Sequence, residues 1–214
     1  MSRPLLVHAL AAALLLGAPA LAFAQAAAPA GPPAAFKPPP KDPMAAPAGT
    51  YMVDTNHSSI EARINHFGYS YSTLRFGVTQ ATLDWNPANP AAIKLNVTVA
   101  AKPEVSPIQY RADLAGPAVF NVAMFPTITF VSTSVKKTGP TSADVTGDLT
   151  LLGVTKPEVI HAELVGAGKS PQGKPTVGFT GTMKIMRSDF GLKFLLGPIG
   201  DEVNFVLDGE FLGG

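Results

Sequence analysis

The residues best able to do chemistry in this chain are few: His57 close to Asp54, Ser58 and Ser59, then His66, and far downstream Arg187 near Asp189. Two imidazoles so near in sequence invite a metal, but a closed zinc site needs four ligands and a catalytic one about three. There is no cysteine, and His161 lies far off in sequence. A serine nucleophile would need a sharp strand-to-helix turn of the G-x-S-x-G kind, and neither Ser58 nor Ser59 has one. Adjacent strand residues also point to opposite faces, so neighbouring His57 does not bring a hydroxyl to its ring. His57 and His66 therefore read as groups that hydrogen-bond backbone near a strand end or meet the polar head of a ligand. Asp54, Arg187 and Asp189 read as turn caps or an ion pair, with a head-group contact the sharper role for Arg187. We expect no catalytic residue, no metal and no cofactor.

The totals narrow the classes further. A formal net charge of +1 over 214 residues offers no basic field for nucleic-acid phosphates. Without cysteine there is no disulfide framework and no thiolate. Residues 1–24 carry Arg3, an apolar run through Leu14 to Leu16, and Ala22-Phe23-Ala24, the pattern of a cleaved secretory signal peptide. The run is cut by Gly17 and Pro19 and falls short of the ~20 residues of a membrane span. Residues 25–48 are almost all Ala and Pro and read as a disordered, polyproline-leaning linker. The folded domain is expected over 49–214, about 165 residues, enough for one core.

The elements that must position the polar groups are strands. Apolar residues recur at every second position in Tyr51 and Val53, Ile60 to Ile64, a strand from about Ser72 to Trp85, and Ile93 to Val99. The pattern continues in Ile128 and Phe130, Val145 to Leu151, Val177 to Ile185, and Val203 to Phe211. Between Leu151 and Pro157 a hairpin turns, with Gly153 placed to take positive φ and alternation resuming beyond Pro157. About eight strands is the number at which a closed sheet just holds one small ligand. Residues 107–125 have helical spacing cut by Gly116 and Pro117, which predicts one or two short helices capping the sheet; 166–175 read as an exposed loop.

Several blocks, in order, resemble the YceI family of periplasmic polyisoprenoid-binding proteins: Tyr51-Met52-Val53-Asp54 with His57-Ser58-Ser59-Ile60, and His66-Phe67-Gly68. Phe120-Asn121-Val122 with Phe125-Pro126-Thr127, Gly147-Asp148-Leu149-Thr150 with Gly153-Val154-Thr155-Lys156-Pro157, Arg187-Ser188-Asp189-Phe190-Gly191-Leu192 and Gly200-Asp201-Glu202-Val203 complete the set. The resemblance implies an all-β fold, an antiparallel eight-stranded lipocalin-like barrel. Its apolar interior would hold an isoprenoid, a quinone or a fatty amphiphile, in the periplasm, often as a homodimer and without stable membrane insertion.

The ligand reading also has a physical basis. Inward candidates mix large residues (Phe130, Phe179, Phe205) with small ones (Gly147, Gly181, Gly209), which leaves room for a guest. About twelve buried methylenes at ~0.8 kcal/mol each give a gross gain of roughly 10 kcal/mol. Expected ligand contacts are Phe67, Tyr69, Phe76, Phe120, Phe130, Phe179, Met183, Phe190, Phe194 and Phe205, with His57, His66 and Arg187 as head-group candidates. Three rivals stand beside this: phenylalanines that fill a closed core, as in a β-sandwich or stress-related interaction module; an outer-membrane barrel; and a periplasmic enzyme. Lys94, Lys184, Glu202 and Glu210, opposite the apolar face, argue against the second, since they would meet lipid or an open lumen.

Overall fold

The computed structural model describes residues 37–106 and 111–214; the expected signal peptide lies outside them. The described residues form ten strands: β1 Gly49–Val53, β2 Ser59–His66, β3 Ser70–Phe76, β4 Val78–Trp85, β5 Lys94–Ala100, β6 Thr127–Lys137, β7 Ser142–Leu151, β8 Val154–Lys169, β9 Pro175–Met186 and β10 Ile199–Gly213. A short helix, α1, spans Arg111–Ala115. Every pairing is antiparallel, and the order β1-β4-β5-β6-β7-β8-β9-β10 closes on itself through β1 and β10.

The count of eight holds because two walls are each made of two pieces. Along one edge of β10, β1 covers Phe211 to Gly213 and β2 covers Ile199 to Asp208, so β1 and β2 lie end to end. β3 and β4, separated only by Gly77, lie end to end against them. Ten strands thus form the eight walls of a closed antiparallel barrel. The break between β1 and β2 is set locally: Asp54 accepts from the Asn56 N–H at 2.9 Å and turns the chain through a 3₁₀ turn at Thr55–His57. That turn is tied back to β10, where Asp54 N–H donates to Glu210 O at 2.7 Å and Ser58 Oγ accepts from Glu210 N–H at 3.2 Å.

Alternation sets which face is inside. Val203, Phe205 and Leu207 of β10 stand opposite Ile185, Met183 and Gly181 of β9, and opposite Ile64, Ala62 and Ile60 of β2. The intervening residues face out, and there Lys184 and Glu202 pair at 3.0 Å. An apolar inside and a charged outside are the reverse of a barrel whose outer face meets lipid. Among the described residues no helix is long and apolar enough to cross a membrane.

Three expectations change. The Ala/Pro segment expected to be linker to residue 48 is held against the barrel from Pro38 onward. Pro40 O accepts from Ala167 N–H at 3.0 Å, Tyr51 Oη donates to Pro47 O at 2.7 Å, and Ala46 is buried. The loop expected at 166–175 shrinks to 170–174, because β8 continues to Lys169. The reason joins both changes: a Cβ on Gly166 would stand 2.8 Å from Pro39 Cγ, so this glycine serves close packing. In the β7–β8 hairpin the turn holds two residues of positive φ, Leu152 at 52° and Gly153 at 75°, and β8 resumes at Val154, before Pro157. Two consecutive positive φ values make the type I′ geometry that suits strand twist. Pro157 pairs with Asp148 of β7, while the ladder to β9 begins at His161, so no partner needs the missing N–H.

Candidate functional site

The barrel is not filled. A cavity of about 710 Å³ runs along its interior. Its wall is built from the inward positions of the strands, and several of them, including Ile64, Leu74, Val97, Ile128, Phe205 and Leu207, are only half-buried although they point inside. Residual exposure of an inward aliphatic side chain means that empty space, not another side chain, lies over it. The volume is within the ~300–1,000 Å³ range of ligand pockets. At ~30 Å³ per methylene-sized atom it takes on the order of twenty carbons.

The wall has three zones. At the mouth stand His66 and Phe67, at the end of β2 and in the β2–β3 turn, and Arg187, Phe194 and Leu195 of the segment between β9 and β10. In the middle are Phe76, Phe120, Phe130, Met183 and Phe205; the ring of Phe120 meets Phe76 edge-on at 5.5 Å, which seats the α1 segment as a cap. At the far end Phe179 lies between Trp85 and Phe211, with centroids 5.5 and 6.5 Å away. There Tyr51, Leu164, Ala167 and Val177 form a solid cluster. Gly147 is inward as expected, and the space above it is taken by the Phe130 ring, which a Cβ would strike.

Three of the expected contacts lie elsewhere. Tyr69 is 93% exposed at the tip of the β2–β3 turn. Phe190 is fully buried in a 3₁₀ turn at Arg187–Phe190, beyond the end of β9, where strand alternation no longer assigns faces. His57 sits exposed on the outer kink, its Nδ1 2.9 Å from Asp54 Oδ2. This contact pushes the His57 pKa up and holds the Asp54 carboxyl down. His57 and His66 stand at opposite ends of β2, some ~25 Å apart at the rise of a strand. Among the described residues no group of three or more His, Cys, Asp or Glu could hold a metal.

Arg187 is on the wall but committed. Its Nε donates to Gly200 O at 2.7 Å, Nη1 to Leu192 O at 2.8 Å and Phe194 O at 2.9 Å, and Nη2 to Ile199 O at 3.0 Å. Of the five N–H groups of a guanidinium, those four bonds leave one. Burial lowers its pKa against a smaller opposing effect of Asp201. Asp201 itself accepts from Ser188 N–H at 2.8 Å and Ser188 Oγ at 2.7 Å. Burial pushes this carboxyl up, but the two bonds and the Arg187 charge outweigh it and hold it below the usual value. Aromatic type alone did not point to Trp85, Leu74, Ile64 or Leu207; their parity within the strands was the signal that could have.

Comparison with known proteins agrees with this architecture. A UPF0312 protein of Shewanella sp. (strain W3-18-1) is 39% identical over 172 residues, covering 78% of this chain and 90% of that relative. The crystal structure of Burkholderia cenocepacia BcnA superposes with a TM-score of 0.64 at 22% identity, covering 74% of this chain and 98% of that one. A polyisoprenoid binding domain from Saccharophagus degradans superposes with a TM-score of 0.58 at 14% identity, covering 77% and 98%. At such identities these two superpositions speak to the fold. The YceI-like domain matches residues 51–211, and the chain belongs to the YceI family.

Proposed function

We propose that this protein is a non-catalytic carrier or sequestering protein that holds the chain of a polyisoprenoid, isoprenoid quinone or fatty amphiphile inside the barrel, in the periplasm after removal of its leader. The observation that carries the reading is the cavity of about 710 Å³ inside the barrel, whose inward aliphatic side chains stay half-exposed to it. Water in such a space would find few partners, so an apolar guest is favoured over solvent. A gain of ~0.8 kcal/mol per buried methylene exceeds ordering and association costs once a dozen or more carbons are inside. The Saccharophagus neighbour, a polyisoprenoid binding domain by name, is in keeping with a long branched guest. His66, half-buried on the wall at the mouth, is the side chain we assign to a head group, since Arg187 is engaged by the carbonyls of Leu192, Phe194, Ile199 and Gly200.

The test is extraction. Protein made in a bacterial host, treated with organic solvent and examined by mass spectrometry, is expected to release an isoprenoid, quinone or fatty amphiphile in near-stoichiometric amount. Repeatedly empty extracts, together with failure to take up any such compound added in solution, would refute the reading.

A further inference from the structure

The rim of the mouth carries a cluster of exposed apolar side chains. The β2–β3 turn presents Phe67 and Tyr69, 51% and 93% exposed, and the loop 193–198 presents Phe194, Leu195 and Leu196 at 49%, 48% and 43%. The two segments are fastened side by side: Phe67 N–H donates to Pro198 O at 2.8 Å, and His66 pairs with Ile199. Scattered exposed apolar residues are ordinary, but a contiguous set signals an interaction surface. Phe67, Phe194 and Leu195 are both exposed outside and part of the cavity wall, so the patch is continuous with the interior. Segments 66–71 and 193–198 contain no carboxylate, and Lys193 is their one Lys or Arg. At the far end of the barrel the wall is instead completed by Pro87, Pro90, Lys137, Pro140 and Thr141.

We propose that this rim docks the barrel reversibly on a lipid surface. Phe67, Tyr69, Phe194, Leu195 and Leu196 enter the boundary between headgroups and acyl chains, and Lys193 faces anionic headgroups. Aromatic and aliphatic side chains backed by a cation are the composition of segments that lie in that boundary. The inference rests on the carrier reading for its purpose: a guest passing through open water would forfeit about fourfold in partition per exposed methylene, whereas the continuous rim offers a dry path.

The test uses Tyr69→Asp/Leu196→Asp, two rim positions that do not line the cavity. Purified wild type and variant are floated with vesicles of phosphatidylglycerol and phosphatidylethanolamine, and each is titrated with palmitate in solution, read by fluorescence of the single tryptophan, Trp85. Wild type is expected to float with the vesicles and the variant to bind them at least about tenfold more weakly, with palmitate affinity equal in both. Equal flotation of the two proteins, or flotation of neither, overturns the docking surface even where palmitate still binds. Loss of flotation in the variant, with no palmitate binding by either protein and empty solvent extracts, sinks the carrier reading and leaves the docking surface standing. A wild-type dimer that the variant converts to monomer, with no vesicle binding, assigns the rim to a second copy of the chain and overturns the proposal.

Discussion

Filling the cavity separates a container from a core. Val97 of β5 and Leu207 of β10 lie on different parts of the wall, and both are half-buried against empty space. Val97→Phe adds four carbons and Leu207→Phe three, so the pair removes roughly 200 Å³ at ~30 Å³ per carbon-sized atom. A long guest then loses contact for about seven carbons, or ~6 kcal/mol at ~0.8 kcal/mol each, a drop in affinity of about 10⁴-fold if the wall does not yield. The effect on the empty protein has the other sign. The new rings take up room that was vacant and cover half-exposed neighbours, so stability is expected to stay level or rise by about 1–2 kcal/mol, in contrast to the cost of overpacking a filled core. The assay pairs urea unfolding with titration of a long-chain amphiphile, read through Trp85, the single tryptophan, which lies on the wall. A variant that binds as well as wild type would refute the use of this cavity as the binding site. A variant destabilised by several kcal/mol would show that the space is already filled and refute the geometry itself.

Two further predictions concern the clamp at the mouth. Arg187→Leu leaves four carbonyl acceptors, those of Leu192, Phe194, Ile199 and Gly200, without their donor and is expected to cost about 3–5 kcal/mol in urea unfolding; a change under about 1 kcal/mol would refute the clamp. Asp201 has a folded pKa below its ordinary 3.8, so the unfolded state binds the proton more readily. Its contribution to stability is therefore present above pH 3.8 and is lost as the pH falls through the folded value. Asp201→Asn should flatten the acid limb of a plot of stability against pH; an unchanged slope would rule out this carboxylate as a source of that limb.

The barrel was legible because parity survives in single strands. Leu95, Val97 and Val99, or Val203, Phe205 and Leu207, assign a face without any knowledge of their neighbours, and eight such runs imply closure. The packed segment 38–48 was not legible, because its composition is that of a linker and its anchorage depends on Gly166 and Ala167, far away in sequence. The site was legible as an apolar interior but not residue by residue. Choosing aromatics by type took in Tyr69, which lies in a turn, and Phe190, which lies in a 3₁₀ turn, and passed over Ile64, Leu74 and Leu207, which the strand register places on the wall.

Arg187 shows why a charge beside a cavity need not face its guest. Its planar fork reaches Leu192 and Phe194 on the outgoing limb of the rim loop and Ile199 and Gly200 on the returning limb, a spread of four acceptors that a lysine could not span with one ammonium. Burying the guanidinium is tolerable because nearly every donor is satisfied and Asp201 lies close enough to offset part of the desolvation. The loop is thus fixed at both roots, while the side chains of residues 193–198 between them are all exposed. Roots tied in this way hold the loop in place at the entrance, and its exposed apolar side chains lie outside the strand ladder. The cation invites assignment to the head group, yet its geometry assigns it to the frame that holds the entrance open.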